Sequence, residues 1–559
     1  MPYRFNAAYP DYAATPESLF LGLDENNREI GIETERHLIT IGGARTGKGA
    51  ALLIPNARRW PHSLLTIDPK GENAERSYEQ REAMGQRVGV LDPFKVADIP
   101  DRLRISVNLL AGIDPDGFTA REDLKVIADG MVRRTNPKNA EWDNGARDIL
   151  AGVLAYVVAT YPADQRTLAA ARELLLQPHE GADDPAGNPT GLYATAQKMA
   201  VCEGGGGLAK SAGVTIMDAL ENGKGLPPQF LDGARRHSEW LDSRPMRAVL
   251  DSSSFDLARL KSGSASLYLV LPPQYIDTHA AFLRLFVRCA INAMAAGGQR
   301  GGRCLFMLDE FFALGRIDEI AKAAGLMPSY GVHLWPFLQD LGQLRELYNE
   351  AGSQTFFGNS DAAIFFGNTD TLTLGYVSDR LGKLTAREIT VPPDLLVRNK
   401  LTGDLVDHEN AARNAEYNHL MKDLGRPRLT PDEIAALVGK RKGDMVARSM
   451  IVFALAGDVL HLRLAPYFEQ RPNASQQGTV RTEMPHHAQQ KPRIQWLNRI
   501  HFVNAIFCAW LAPFLSMLII VFNRWEKYGP PSAWPTYGTL ALIGLVLGFF
   551  SSAIFLRRI

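Results

Sequence analysis

The sequence predicts an α/β protein: a parallel sheet, interrupted by an all-α insertion and followed by a C-terminal transmembrane helical hairpin. Three observations carry this. Short apolar runs of β type alternate with helical stretches on either side of a long interior segment. Residues 112–250 change character, with helical spacing of apolar residues and few strand signals. Near the C-terminus come two uncharged runs, each of the roughly 20 residues that a bilayer-spanning helix needs.

The elements follow in order. Residues 1–36 contain a strand pair, "SLFLGL" and "REIGIE", around the turn "DENN", expected to pack on the sheet. "HLITIGG" is a buried-strand run entering a glycine-rich loop, with "KGAALLIPNARRW" as the helix after it. "SLLTIDPKGE" and "RVGVLDPF" are short strands separated by the charged helical stretch "NAERSYEQREAM". These make residues 37–111 the first part of the α/β domain. The insertion, 112–250, reads as helical through "RDILAGVLAYVVATY", "TLAAARELLL", "LYATAQKMAV" and "SAGVTIMDALE". The strand pattern resumes over 251–470 with "SLYLVLPP", "RCLFMLDEFFALG", "VHLWPFLQD" and "AAIFFG", each an apolar run ending where polar residues begin. Residues 471–494 are polar and proline-containing, a linker by composition. No internal repeat is evident.

The hairpin is expected over 495–559, with spans at about 502–522 and 537–556. Neither run has a polar face, which argues against two buried helices of a soluble domain. Trp510, Trp525, Tyr528, Trp534 and Tyr537 lie near the ends, as interfacial aromatics do. Pro513 is tolerated inside a membrane helix. Lys491, Arg493 and Arg499 precede the first span, and Arg557 and Arg558 follow the second. The connection holds only Arg524 and Lys527 beside Glu526. The positive-inside rule therefore places both flanks in the cytoplasm and "YGPPSAWP" outside.

Composition narrows the function. Lys plus Arg (61) balances Asp plus Glu (61), which excludes a protein that coats DNA nonspecifically; nucleic-acid contact would need a local patch or an assembled ring. Cys202, Cys289, Cys304 and Cys508 form no CxxC pair, which speaks against a disulfide framework or an obvious zinc site. "MPYRFNAAYPDYAATPESLF" lacks the basic and apolar regions of a secretory signal.

The chemistry centres on "IGGARTGKGAALLIP". Gly42, Gly47 and Lys48 stand at the spacing of a P-loop, whose backbone N–H groups cradle a phosphate while the lysine reaches the β- and γ-phosphates. The expected nucleotide contacts are Gly42, Gly43, Ala44, Arg45, Thr46, Gly47, Lys48 and Gly49. The position after the lysine, normally a hydroxyl on Mg²⁺, is Gly49. Mg²⁺ can keep a water in that slot, since it holds its waters tightly. Thr46, inside the loop, is not expected to take over the role.

A second element ends the run Cys304 to Leu308 in Asp309-Glu310, two carboxylates at the carboxyl edge where α/β sheets bind ligands. Asp309 is expected to hold Mg²⁺ through water, and Glu310 to polarise an attacking water. A third is Gln339, ending the next apolar strand, where an amide can report the γ-phosphate; an ordinary strand-end amide is the other reading. Arg133, Arg134 and Lys138, and the run Lys440, Arg441 and Lys442, are basic clusters, read as solvated surface or as DNA contacts.

The blocks "GGARTGKGAALLIP", "LLTIDPKGENA", "VLDPF" with "SVNLL", "EWDNGARDIL", "SSSFDLARLKSGSASLYLVLPP", "LFMLDEFFALGRI", "FLQDLGQLRELYNEAGSQTFFGN", "FFGNTDTLTLGYVSDRLGK" and "RPRLTPDEI" occur in that order over roughly 20–470. Together they resemble the type IV secretion coupling protein family of the TraG/TraD type. The resemblance implies a RecA-like P-loop NTPase domain, a hexameric ring, ATP and Mg²⁺ as cofactors, and an all-α domain that resembles the part used in substrate recognition. It implies an inner-membrane conjugal transfer ATPase, its motor in the cytoplasm, that passes a relaxase–DNA complex or protein effectors to a secretion channel. Members commonly have Gly after the P-loop lysine, as here. They usually begin with a membrane hairpin, whereas here the hairpin is expected last. A ring motor usually needs a basic residue contributed by the neighbouring subunit; Arg316 and Arg380 are the candidates. Two other readings stay open: an FtsK/HerA-like DNA pump, and a receptor that binds nucleotide without hydrolysing it, which Gly49 motivates.

Overall fold

The computed structural model describes residues 9–133, 140–181, 183–184, 186–317, 320, 325–383, 427–454 and 457–470. The chain divides into two compact units, Met1–Gln470 and Arg471–Ile559, and all described residues belong to the first. The linker and hairpin expected at 471–559 therefore lie outside the described residues. Among the described residues no helix is long and apolar enough to cross a membrane.

Eleven strands form one sheet. In chain order they are β1 (Leu19–Leu23), β2 (Glu29–Ile32), β3 (His37–Gly42), β4 (Ser63–Ile67), β5 (Arg87–Leu91), β6 (Ala265–Leu269), β7 (Cys304–Leu308), β8 (Val332–Leu338), β9 (Ser360–Phe366), β10 (Ser449–Ala454) and β11 (Val459–Arg463). Across the sheet the order is β2-β1-β11-β10-β9-β3-β8-β7-β4-β6-β5. From β9 to β5 every neighbour is parallel; β10, β11, β1 and β2 continue the sheet antiparallel. The sheet is thus mixed, where the strand–helix alternation predicts a parallel one. The physical reason is connection length. β1–β2 and β10–β11 are joined by short turns, which permit only antiparallel pairing, while parallel neighbours need long crossovers.

The parallel strands are buried on both faces: β3, β4, β6, β7 and β8 have no exposed position. That explains their continuous apolar runs. After β3 the chain enters the glycine loop, then a wide π-type turn at Gly49–Leu53, then α1 (Ile54–Arg59). α2 (Glu72–Ala83) connects β4 to β5.

Between β5 and β6 lie α3 (Ala120–Met131), α4 (Ala140–Thr160), α5 (Leu168–Leu175), α6 (Leu192–Ala200), α7 (Leu208–Asn222), α8 (Leu226–His237) and α9 (Arg244–Leu250). α4 packs on α7 and α8 and presents Ile149, Leu150, Val153, Leu154, Val157 and Val158 to the core. α10 (Ile276–Ala296) follows β6 and packs against α3. Asp129 of α3 pairs with Arg288 of α10, which joins the helical layer to the sheet's own helices. α11 (Leu341–Gly358), α12 (Thr371–Leu381) and α13 (Pro431–Val438) complete the set described. Asp340 caps α11 by accepting the Gln343 N–H at 2.9 Å, and Thr430 and Glu433 form a capping box on α13.

Candidate nucleotide site

The glycine loop is shaped by three close approaches. Gly43 donates its N–H to the Phe366 carbonyl at 3.0 Å, and a Cβ at Gly43 would lie 2.0 Å from the Gly367 oxygen. Only glycine lets the loop pass the end of β9 so tightly. Gly47 adopts φ +102°, and a Cβ there would meet Val446 Cγ1 at 2.4 Å. The loop's carbonyls are also held: Ala447 N–H reaches Thr46 O at 2.8 Å, and Lys440 Nζ reaches Arg45 O at 2.8 Å. Thr46 spends its hydroxyl on Gly43 O at 2.7 Å, so it serves the loop's shape. At Gly49, by contrast, a Cβ would meet nothing within 4 Å.

Lys48 begins the π-type turn and folds back to donate to Gly42 O at 2.8 Å. Burial lowers its ammonium pKa, and the charges of Asp309 and Glu310 oppose that shift. The P-loop lysine and the acidic pair are thus electrostatic neighbours. The sheet order explains this: β3 and β7 are separated only by β8, and all three run parallel, so their carboxyl ends share one edge.

Asp309 leaves β7. Burial, and next the Glu310 charge, push its carboxyl up to about 6, while Lys48 draws it back. Glu310 sits at φ 51°, ψ 42°, left-handed backbone for a residue with a side chain. Such a conformation costs about 1–3 kcal/mol and clusters at functional sites. Glu310 lines a cavity of about 320 Å³ together with Gln339, Gln343, Asp277 and Arg133. Gln339 is fixed through its main chain. Its N–H donates to Gln343 Oε1 at 2.9 Å, and its carbonyl accepts from Asn368 Nδ2 at 3.1 Å. Lys48, Asp309, Glu310 and Gln339 thus come to one sheet edge, the last two facing one cavity.

Three residues with a part here were not singled out in the sequence. Asn368, buried just past β9, steadies Gln339, and its Oδ1 has no hydrogen-bond partner among the described residues. Gln343 steadies Gln339 from α11. Asp68 ends β4 as Asp309 ends β7. It is buried, accepts the Ala74 N–H at 2.8 Å near the start of α2, and is pushed up to about 7 by burial, with Asp309 contributing. For Asp68 and Asn368 the signal, a polar residue one or two positions past an apolar strand, is present in "LLTID" and "IFFGN".

Arg133 is among the residues lining this cavity, while Arg316 and Arg380 serve other contacts. The Arg316 guanidinium lies 5.6 Å over the Tyr348 ring, and that of Arg380 lies 4.4 Å over Phe453. Arg134 and Lys138 lie outside the described residues.

The donor set suits Mg²⁺. Among the described residues no group of three His, Cys, Asp or Glu could hold a metal ion by protein ligands alone. Mg²⁺ needs no such cage, since it binds through one or two carboxylates, phosphate oxygens and retained waters.

Comparisons with known proteins agree with the fold. A TraG conjugal transfer protein of Rhizobium radiobacter is 26% identical over 360 residues, covering 62% of this chain and 52% of that protein. The VirD4 protein of Agrobacterium fabrum is 23% identical over 449 residues, covering 78% of this chain and 59% of its own length. The chain therefore spans about half to three fifths of these relatives. Among solved structures, the conjugative coupling protein TrwB in complex with sulphate superposes with a TM-score of 0.53 at 14% identity, covering 79% of this chain and 88% of that one. TrwB in complex with ADP and Mg²⁺ gives a TM-score of 0.50. At these identities the likeness is one of fold. The family model described as type IV secretory system conjugative DNA transfer matches residues 15–493, and the chain belongs to that family.

Proposed function

We propose that this protein is an inner-membrane ATPase that recruits a relaxase–DNA complex or protein effectors and drives them into a type IV secretion channel by ATP hydrolysis. One observation carries the reading: a P-loop lysine, an acidic pair and a strand-end glutamine meet at one sheet edge in a chain of this family. The TrwB complexes with nucleotides support ATP as ligand here. We further propose a homo-hexamer, with residues 37–111 and 251–470 as the RecA-like motor, 112–250 as the substrate-facing all-α domain, and 495–559 as the membrane hairpin.

The chemistry follows from the residues. The loop N–H groups and Lys48 bind and orient the triphosphate. Asp309 would hold Mg²⁺, which would supply charge neutralisation on the phosphate oxygens. Glu310 orients a water and takes its proton as the water oxygen attacks the γ-phosphorus. The bond from that phosphorus to the β,γ-bridging oxygen breaks and its electron pair leaves with ADP. The proton passes from Glu310 to phosphate or solvent, restoring the carboxylate. Gln339 hydrogen-bonds the γ-phosphate or the water and loses that partner on hydrolysis, which makes it the reporter of the nucleotide state.

ATP turnover by purified wild type, Lys48→Ala and Glu310→Gln tests this. Both variants should fall by about a hundredfold or more. A wild type no faster than either variant would instead favour the non-hydrolysing receptor.

A further inference from the structure

Arg133 lines the cavity that Glu310 and Gln339 face. It stands two residues beyond the last residue of α3, Met131, and so reaches the site from the helical layer rather than from the sheet. Among the described residues it makes no hydrogen bond or ion pair. The other charged groups lining this cavity are Glu310 and Asp277.

What holds it there is Arg284 on α10. That guanidinium is buried and divided between two segments. Nε and Nη2 donate to the Gly130 and Met131 carbonyls at 3.0 and 3.2 Å, in the last turn of α3. Nη1 donates to Leu314 O at 3.1 Å, at the end of the turn that follows Glu310. Carbonyls in a helix's last turn lack intrahelical partners, so a buried guanidinium is a fitting cap. One side chain thereby staples the end of α3 to the loop leaving Asp309-Glu310. The two arginines meet at Gly315: a Cβ there would lie 3.7 Å from Arg133 Nε and 4.0 Å from Arg284 Nη1.

We propose that Arg133 is the cation that contacts the γ-phosphate from within the same subunit, and that Arg284 is the positioning residue that aims it. This rests on the ATPase reading above. As the γ-phosphoryl group transfers, charge builds on its oxygens, and a preorganised guanidinium stabilises that charge. Because α3 opens the helical layer, a displacement of that layer would move this cation relative to Glu310.

The test uses the full-length protein in detergent, with wild type, Arg133→Ala, Arg133→Lys, Arg284→Lys and the double variant Arg133→Ala/Arg284→Lys. Turnover and the affinities for a fluorescent ATP analogue and its ADP counterpart are measured, with melting temperature as the folding control. Arg133→Ala should lower kcat by about a hundredfold and weaken ATP binding relative to ADP, with melting unchanged. Arg133→Lys should recover part of the loss. Arg284→Lys should lower kcat in the wild-type background and add little in the Arg133→Ala background. Arg133→Ala with wild-type turnover and an unchanged ATP-to-ADP affinity ratio overturns the proposal. Should wild type bind ATP without hydrolysing it, the ATPase reading fails, and the affinity ratio alone decides the arginine's contact.

Discussion

At the scale of single residues, two glycines within five positions of Lys48 carry opposite instructions. Gly43 has a carbonyl oxygen 2.0 Å from where its Cβ would be, and Gly49 has open space. Gly43→Ala should therefore abolish nucleotide binding. Gly49→Ser should bind nucleotide within about threefold of wild type, since serine costs less than glycine in a helical turn. Equilibrium binding of a fluorescent nucleotide checks both, and intact binding by Gly43→Ala would contradict the loop geometry. The carboxylates set a pH dependence. Burial raises Asp309 to about 6 and Asp68 to about 7, above their unfolded value of 3.8, so folding favours the protonated acids. The stability they contribute is full below that unfolded value and is lost as pH rises through about 6 and 7. Magnesium-free protein should melt lower at about pH 8 than at about pH 5, and Asp309→Asn should reduce the difference. The same difference in both proteins would remove Asp309 as a cause. Lys48, Asp309 and Gln339 were legible because each follows an apolar run or completes a phosphate motif. Arg133 was visible only as one of a basic cluster. Its place depends on where α3 ends against β7's exit loop, a contact between residues some 180 positions apart, by the spacing of Arg133 from Leu314.

Among elements, the central strands were the readable part, since burial on both faces leaves a continuous apolar run ending abruptly in polar residues. The β1–β2 pair is readable from its turn, but β10 and β11, in "SMIVFALAGDVLHLRL", lie outside the strand–helix alternation that marks the parallel strands. Local pattern shows that a strand exists; which strand it adjoins is decided by pairing across hundreds of residues. β11 beside β1 is such a case, with Leu23 opposite Arg463. The placement of β3 against β8 has its own polar lock. Trp335 donates its indole N–H to Thr40 Oγ1 at 2.9 Å, with both side chains buried. Thr40→Val keeps the shape but strands the indole donor, and a buried unsatisfied donor costs about 1–3 kcal/mol. A lowered melting temperature with the far-UV spectrum unchanged is the expected result. No shift would show the indole satisfied by another partner.

For the whole molecule, the last described segment connects the chain's C-terminal side to the nucleotide loop. The π-type turn at Gly49–Leu53 gives the Ile54 N–H to Gly49 O, and the next residue is Pro55, which has no N–H. The Ala50 carbonyl is thus left without a helical partner, and Tyr467 N–H takes it at 2.8 Å. The Arg58 guanidinium lies 4.8 Å over the Tyr467 ring, and Arg59 Nη2 donates to Gln470 at 2.9 Å. Tyr467 and Gln470 therefore brace the helical segment that follows Lys48, before the polar stretch leading to the apolar runs. Two truncations separate bracing from anchoring. A chain ending at residue 494 keeps every one of these contacts and lacks both apolar runs. It should leave the membrane fraction and bind nucleotide as the full chain does. A chain ending at residue 464 should also be released, and should bind nucleotide about tenfold more weakly, because the loss of one or two hydrogen bonds and a cation–π contact amounts to about 1–2 kcal/mol. Sedimentation of cell extracts with nucleotide titration of the purified chains reads both effects. Membrane association by the chain ending at 494 would place the anchor within residues 1–494, and equal affinities for the two truncations would show that the brace does not reach the phosphate loop.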